Sequence, residues 1–417
     1  MSKTRPLAAH DVAPDLAPDL PLTATPYTPQ RLFIDCLVLG LTAWGGFMAL
    51  LAQAQQRFVK QRGWVAEKDF LDLMALVTML PGPQAVNALS VMGHRLGGWL
   101  GFVAALAGIV MPSFFIIIAL WWGYASLAGQ PRLLQALMVG VLAPLAMIMA
   151  NTAWNQSKKA APRPRDKALG VAAAIALLVL PFWSAPILVL ASGGLVARLF
   201  WPAPAAAPAP TSPAMGLRAL LLCLLPAGLA VFQVVPALLP QDAVARLMLA
   251  FAGIATTLFG GALVMVPLLE GLIVDHLGWL SHAGFTAGLA ASQLTPGPIV
   301  GIATFTGMDI AGWQGALAAT VGVYTPTAII AVGVSQAADR LKGLRWFQHA
   351  MMGVRCAVVG LIAGAAVTLW FKQPLRTEPI TCAVLTAVAL LLVWRLKQPP
   401  YVSIPISMGL ACVLLLV

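Results

Sequence analysis

The second half of this sequence repeats the first at a nearly constant spacing. Short Gly, Trp, Phe and Pro motifs recur in the same order 215 residues apart, and the spacing then drops to 214. A one-residue insertion or deletion accounts for that change, so the chain contains two homologous units. The matches pair Gly45-Gly46 with Gly260-Gly261, Gly63-Trp64 with Gly278-Trp279, Phe70 with Phe285, Pro81-Gly82-Pro83 with Pro296-Gly297-Pro298, Gly98-Trp99 with Gly312-Trp313, and Pro112 with Pro326.

Both units are too apolar for a soluble protein. Of the 417 residues, 60% are hydrophobic and 9% are charged, whereas an ordinary soluble domain has roughly 25% charged residues. The apolar residues form long runs and do not alternate, which excludes a β-barrel. At roughly 20 residues per crossing, they allow on the order of 10–12 spans. We therefore predict an all-α polytopic membrane protein.

Composition divides the chain into four parts. Residues 1–30 hold six prolines and no long apolar run, so we predict a disordered N-terminal tail. Residues 202–216 are rich in Pro and Ala and carry no charge, which is typical of an extended linker. The predicted transporter repeats are residues 31–201 and 217–417.

The net charge of the chain is +11. Because the basic residues cluster between apolar runs, we interpret them as signals that orient the protein in the membrane and not as a nucleic-acid-binding surface. After its Gly-Gly, the first unit carries four basic residues, but the second carries Glu270 and Asp275. This bias reverses later, where Arg340, Lys342 and Arg345 belong to the second unit. Since Lys and Arg favour the cytoplasmic side, the pattern predicts an inverted-topology repeat. Counting one crossing per apolar run does not by itself deliver this inversion.

Two Pro-Gly-Pro motifs lie inside apolar segments and predict a broken or re-entrant helix in each unit. Proline removes a backbone donor and clashes with the preceding turn, and a broken helix persists in a membrane only inside protein or beside water. The amides that start the next helix attract anions. The alternative is a structural kink. The candidate substrate-binding residues at the breaks are Pro81, Gly82, Pro83, Gln84, Asn87, Thr295, Pro296, Gly297 and Pro298.

The paired glycines at Gly45, Gly46, Gly260 and Gly261 are further substrate-binding candidates. They predict either a flexible point facing the breaks or close helix packing.

Two charged residues in apolar surroundings are also candidates. Arg355 lies within an apolar run, where a charge marks either a substrate contact or a side chain that extends to the interface. Glu270 ends a long apolar run and is a candidate coupling residue for protons, or else a solvated helix-end residue. Its counterpart in the first unit is Gln55.

Signatures of enzymes and metal sites are absent from the sequence. It contains no HExxH, Walker A or GxSxG motif and no CxxC pair among its five cysteines. We expect no catalytic residues, no metal and no cofactor, which leaves a secondary carrier or channel.

At the paired motifs the sequence resembles the chromate ion transporter (CHR) family, in its long-chain form with two fused homologous domains. The resemblance runs from about Leu39 to Gly364. It includes Gly45-Gly46, Gly63-Trp64, Phe70-Leu71 and Pro81-Gly82-Pro83, and is closer in Phe259-Gly260-Gly261, Pro267, Glu270, Gly278-Trp279-Leu280 and Gln293–Pro298. The first unit departs from the family by having Phe47 for a proline and Gln55 or Gln56 for an acid. Loss of that proline is expected to restore helix continuity.

The resemblance implies a transporter that exports chromate from the bacterial cytoplasm, driven by membrane potential or proton exchange. Sulfate, which has the same shape, is the expected competitor. The implied location is the bacterial inner membrane, and the implied partners are a small inorganic oxyanion and lipid, with no nucleic acid. Carriage of sulfate or another oxyanion, a non-transporting membrane protein, and a homo-oligomer remain open alternatives.

Overall fold

The computed structural model describes residues 27–44, 46–78, 80–180, 184–201, 240–256, 265–298, 300–336, 345–374 and 377–416. All regular structure within these residues is helical. The prediction of a disordered tail falls almost wholly outside them, as does the predicted linker. Gly45, Gly260 and Gly261 are also outside the described residues.

Fourteen helices are described, and they fall into two series of seven. The first series is α1 Pro29–Thr42, α2 Gly46–Ala54, α3 Glu67–Val77, α4 Gln84–Ser126, α5 Pro131–Ala160, α6 Pro164–Val179 and α7 Ala185–Phe200. The second is α8 Ala243–Thr256, α9 Met265–Glu270, α10 His282–Leu294, α11 Ile302–Gln336, α12 Arg345–Phe371, α13 Pro379–Leu390 and α14 Pro400–Leu416. α2, α9 and α13 continue as π-helices over Gln55–Gln61, Gly271–His276 and Leu391–Arg395.

The sequence repeat is a structural repeat in detail. Each helix of the second series corresponds in order to one of the first, and the π-helices after α2 and α9 fall at equivalent positions. Three pairs of matched glycines have positive φ in both units. Their φ values are 63° and 61° at Gly63 and Gly278, 99° and 90° at Gly82 and Gly297, and 58° and 57° at Gly98 and Gly312.

α4 and α11 each fold back on themselves as a helical hairpin. In α4 the helical backbone is interrupted at Gly97 and Gly98, and Gly93 lies directly against Gly101 on the returning arm. In α11 the interruption is at residues 311–312, and a 2.8 Å hydrogen bond joins the hydroxyls of Thr304 and Thr320 across the arms. The arms are residues 84–96 and 99–126 in the first unit, and residues 302–310 and 313–336 in the second.

The two units interlock as two helical bundles. The core bundle consists of α1–α4 and α8–α11, and its centre is the contact of α4 with α11. The scaffold bundle consists of α5–α7 and α12–α14, and its centre is the contact of α5 with α12. Within the scaffold, helices are exchanged between units, because α6 and α7 pack on α12 whereas α13 and α14 pack on α5. Small residues permit this approach, as where Gly193 meets Gly353.

Within the described residues, four helices are long and apolar enough to cross a membrane. They are Gln84–Ser126, Pro131–Lys158, Ile302–Ser335 and Ala350–Phe371. Large apolar side chains are exposed on many helices, as expected for a surface that faces lipid. Examples are Trp99, Leu100, Trp122, Leu199, Phe200 and Phe371.

The expected helix continuity around Phe47 is not found. α1 ends at Thr42, and Ala43 and Trp44 are non-helical before α2 begins at Gly46. Residue 47 lies inside α2, so a proline there would change the first turn of the second helix rather than the break itself. The expectation was wrong because the chain had already left the helix before Phe47.

Candidate functional site

The first break, Pro81-Gly82-Pro83, connects two helices and packs against the other unit. α3 ends at Val77 and α4 begins at Gln84, and all three residues of the break are buried. Gly82 has φ +99°, a conformation that L side chains rarely adopt. A Cβ added there would lie 2.5 Å from the Cβ of Thr327 on α11. Glycine is thus required at position 82 both because of the backbone conformation and because Thr327 leaves no space for a side chain.

The second break, Pro296-Gly297-Pro298, has equivalent contacts with the first unit. It follows α10, is buried, and has φ +90° at Gly297. The Gly297 N–H donates a 3.1 Å hydrogen bond to the carbonyl of Ala43, just after α1. A Cβ on Gly297 would lie 3.1 Å from the carbonyl oxygen of Gly40. Each break is therefore held by a helix of the opposite unit.

Polar side chains at the breaks divide into satisfied and unsatisfied groups. Asn87 donates from Nδ2 to the carbonyl of Pro81 at 2.9 Å, and Thr295 donates to the Ala291 carbonyl at 2.7 Å. In contrast, Ser90 Oγ, Gln293 Nε2 and Asn87 Oδ1 are buried without a hydrogen-bond partner among the described residues. Buried polar groups are normally paired, so Ser90 and Gln293 offer free donors beside the breaks. Gln84 is half-buried, and its Nε2 lies 3.5 Å from the Thr78 carbonyl.

Ser90 and Gln293 were not selected from the sequence as binding residues. Both lie close to a break, one in the first arm of α4 and the other in the last turn of α10. Polar residues next to a Pro-Gly-Pro motif were the available signal. Burial without a partner, which distinguishes these two from Thr295, depends on tertiary contacts.

The long arm of α4 has two ends that contact different parts of the chain, and these contacts show which segments lie at the same end. At its start, Gly97 lies against the hydroxyl of Tyr27, whose ring is 5.7 Å from that of Trp64, just before α3. At its other end, Trp121 Nε1 donates to Asp309 Oδ1 at 2.9 Å, next to the hairpin turn of α11. Tyr124 lies near Gly284 in the first turn of α10. We call these the Tyr27 end and the Tyr124 end.

A buried carboxylate forms a charged cluster at the first unit's π-helix. Asp35 of α1 is fully buried, and its two oxygens accept hydrogen bonds of 2.6–2.9 Å from Arg57 and Arg62. The guanidinium of Arg62 also lies over the ring of Trp64. The equivalent residues of the second unit are uncharged, namely Ala250, Leu272 and Leu277. The cluster therefore belongs to the first unit alone.

Glu270, the candidate coupling residue, lies in a different cluster. It is 7% exposed and forms an ion pair with Lys372, just after α12. The Nδ1 of His282, at the start of α10, is 3.2 Å from Glu270 Oε1. Because Gly284 is near Tyr124, this cluster is at the Tyr124 end.

Arg355 lies among scaffold helices. It is half-buried on α12, and the thiol of neighbouring Cys356 donates to the carbonyl of Ala160 at the end of α5. The Cys356 carbonyl faces Gly170 of α6. Among the described residues, no hydrogen bond or ion pair joins Arg355 to either break, so its role in binding stays a prediction.

Comparison with known proteins gives one family. A family model described as "Chromate transporter" matches residues 30–198 and 245–415. A chromate transport protein of Pseudomonas aeruginosa is 30% identical over 98% of this chain and 96% of its own length. One of Cupriavidus metallidurans is 28% identical over 93% and 94%, and a probable chromate transport protein of Synechococcus elongatus is 29% identical over 89% and 91%. No solved structure matches the chain.

Proposed function

Because the chain belongs to the chromate transporter family, we propose that it is a secondary transporter exporting chromate from the cytoplasm. The substrate would be the dianion CrO4(2−), bound between the two breaks. The observation that carries this proposal is that each break packs against the opposite unit, through Gly82 with Thr327 and Gly297 with Ala43. This places both breaks inside the protein, where irregular backbone is tolerated in a membrane.

Helix starts at the breaks provide the attraction for an anion. α4 begins directly after Pro83, and α11 begins a few residues after Pro298. The first amides of each helix lack intrahelical acceptors and carry a partial positive charge. Ser90 and Gln293 add buried donors. An oxyanion needs donors on several sides, and helices from two different units can supply them.

We propose that each break is the tip of a re-entrant segment. In the first unit, Trp64 precedes α3, Gly97 ends the first arm of α4, and both lie at Tyr27. The chain therefore enters and leaves at the same end, with Pro81-Gly82-Pro83 between. In the second unit, Gly284 and Asp309 bracket the second break and lie at the Tyr124 end.

The same contacts support an inverted-topology repeat. The arm of α4 from residue 99 to residue 126 is about 40 Å long at 1.5 Å per residue. Equivalent hairpin turns of the two units, at residues 97–98 and 311–312, lie at opposite ends of this arm. Two re-entrant segments that enter from opposite sides and meet near the middle form an arrangement typical of secondary transporters.

Basic residues support a cytoplasmic location for the Tyr27 end, since Lys and Arg favour that side. They are more frequent there than at the Tyr124 end among the described residues. The basic residues at the Tyr27 end include Arg31, Arg57, Lys60, Arg62, Lys68, Arg95 and Lys158, and those at the Tyr124 end include Arg132, Arg246 and Lys372. In a bacterial inner membrane, the break of the first unit would then open toward the cytoplasm.

Labelling with a membrane-impermeant maleimide tests this orientation. In a variant with its five cysteines replaced, Lys68→Cys and Asp275→Cys provide exposed thiols at the two ends. We expect Asp275→Cys to react in intact spheroplasts and Lys68→Cys to react only after permeabilisation. Labelling of both from the same side would refute the inverted arrangement, and the opposite pattern would reverse the orientation.

Membrane potential alone can drive chromate export. The membrane potential favours the exit of a dianion from a negatively charged interior by about 4–5 kcal/mol per 100 mV. A proton-binding residue is therefore not required, although Glu270 remains the candidate if protons are exchanged. We expect Glu270→Gln to abolish any dependence of transport on the proton gradient while potential-driven transport continues.

Labelled chromate accumulation in an energised, chromate-sensitive host tests the function. We expect expression of the protein to lower accumulation, and collapse of the potential to return it to the level of control cells. Higher accumulation than in control cells would indicate uptake and refute export. Equal accumulation would mean that chromate is not the substrate. A hundredfold excess of sulfate shows whether sulfate competes for the same site.

A further inference from the structure

The Glu270–Lys372 ion pair joins the two bundles. Glu270 ends α9 and belongs to the core bundle, whereas Lys372 directly follows α12 of the scaffold bundle. α9 contacts α7 and α12 of the scaffold as well as α8 of the core, and α10 also contacts α5 and α14, but each of these contacts is smaller than the main helix contacts inside either bundle. The pair is therefore one of the few polar links across this boundary that the structure describes.

Burial makes Glu270 dependent on its partner. The Glu270 side chain is 10% exposed and that of Lys372 is 28% exposed. A carboxylate so far removed from water depends on its partner, because an unpaired buried charge is costly. His282 Nδ1 approaches the same Glu270 oxygen at 3.2 Å, and its Nε2 lies 3.9 Å from Asp275. His282 and Asp275 both belong to the core bundle, so among the described members of this cluster Lys372 is the one that supplies the connection to the scaffold.

The first unit lacks this link at its equivalent positions. Gln55 replaces Glu270, Glu67 replaces His282, and Lys158 replaces Lys372. Gln55 Nε2 donates to Glu67 Oε1 at 2.9 Å, within the core bundle. Lys158 lies over the ring of Trp154, 5.3 Å from its centroid, within the scaffold. The charged connection between bundles is thus described at the Tyr124 end and not at its counterpart.

We propose that Glu270 and Lys372 form a latch between the core and scaffold bundles, which must open for each chromate ion that crosses. This inference rests on the proposed transport function. A carrier exposes its site to alternate sides by moving one bundle against another. The breaks belong to the core bundle, so movement of the core relative to the scaffold would carry the site. Lys372 is a positioning residue, holding the core in one of the two arrangements.

Cross-linking tests whether the latch must open. In a cysteine-free background, Glu270→Cys with Lys372→Cys is treated with a short, reducible bifunctional methanethiosulfonate. We expect transport in vesicles to fall at least tenfold when cross-linked and to recover on reduction. The control is Gln55→Cys with Glu67→Cys, at the positions equivalent to Glu270 and His282, which links two core segments and should continue to transport. Equal transport by both cross-linked pairs would overturn the latch.

A distance measurement tests the latch without transport. Spin labels at Asp275→Cys in the core and Thr377→Cys in the scaffold report the separation of the bundles. We expect Lys372→Gln to populate a second distance that is minor or absent with Lys372 present. An unchanged distribution would contradict the proposal. If the unaltered protein transports no chromate, the proposed function fails, but this distance shift can still be present, so the two failures are distinguishable.

Discussion

The two units have the same helices and the same breaks, but different charges hold them. In the first unit, Asp35 binds Arg57 and Arg62 inside the core bundle. In the second, Ala250, Leu272 and Leu277 replace these residues, and Glu270 instead binds Lys372 across the bundle boundary. Backbone geometry has thus been kept in both units while the electrostatic connections have diverged. In the first unit α1 is tied to the π-helix that follows α2, and in the second unit the end of α9 is tied to the scaffold.

The largest expected effect is the difference in transport between alanine variants of the two break glycines, because the space around Gly82 is smaller than that around Gly297. Gly82→Ala places its Cβ 2.5 Å from Thr327, whereas Gly297→Ala meets the Gly40 carbonyl at 3.1 Å. Both also carry backbone strain of about 1–3 kcal/mol. We expect chromate transport, normalised to protein abundance, to fall more than tenfold for Gly82→Ala and less for Gly297→Ala.

Gly98→Ala is the control for backbone strain. Gly98 has φ +58°, but nothing lies within 4 Å of an added Cβ, so transport should be largely retained. Thr327→Gly should partly restore Gly82→Ala and leave Gly297→Ala unimproved, because it clears only the first collision. Equal transport by Gly82→Ala and Gly98→Ala would show that close packing of the first break against α11 is not required.

Replacing Asp35 alone should lower the stability of the protein more than replacing Asp35, Arg57 and Arg62 together. Asp35→Leu leaves two arginines without their carboxylate, which we expect to cost about 2 kcal/mol, since the partly exposed guanidiniums regain some water. Replacing Asp35, Arg57 and Arg62 together by leucine leaves no unpaired charge, as in the second unit, and should be less destabilising. Thermal unfolding in detergent measures both variants. A triple variant less stable than Asp35→Leu would contradict this account.

Gln293 allows a test of substrate contact. Gln293 Nε2 is buried without a partner among the described residues, and a chromate oxygen would supply one. Loss of such a bond costs about 1 kcal/mol, so Gln293→Leu should raise the KM for chromate roughly fivefold. Thr295→Val is the control, because its hydroxyl already bonds to Ala291. An unchanged KM for Gln293→Leu would remove this residue from the site.

The smallest expected effect concerns the hairpins. Thr304 and Thr320 share a hydrogen bond across α11, whereas the equivalent residues of α4 are Ser90 and Leu106. A hydrogen bond between membrane helices contributes about 0.6 kcal/mol. Thr320→Leu, which copies the first unit, should lower the unfolding temperature only slightly and leave transport intact. A large loss of stability would mean that the two arms of α11 depend on this hydrogen bond in a way that the two arms of α4 do not.

The sequence by itself determined the class of protein, the two repeats and the positions of the breaks. Apolar runs require helices in a membrane, and Pro-Gly-Pro cannot continue a helix because two backbone donors are missing. These are local consequences of residue type. The matched glycines at residues 63, 82 and 98 were also visible, because a repeat keeps its special backbone positions.

The tertiary structure decided what the motifs contact. Gly97-Gly98 turns α4 back on itself, but its sequence equally suits helix packing, since glycine serves both. The pairing of Asp35 with Arg57 and Arg62, and of Glu270 with Lys372, joins residues 22 to 102 positions apart. Such pairs depend on how helices pack, which local pattern does not encode. For the same reason the exchange of α6, α7, α13 and α14 between units was visible only in the folded chain.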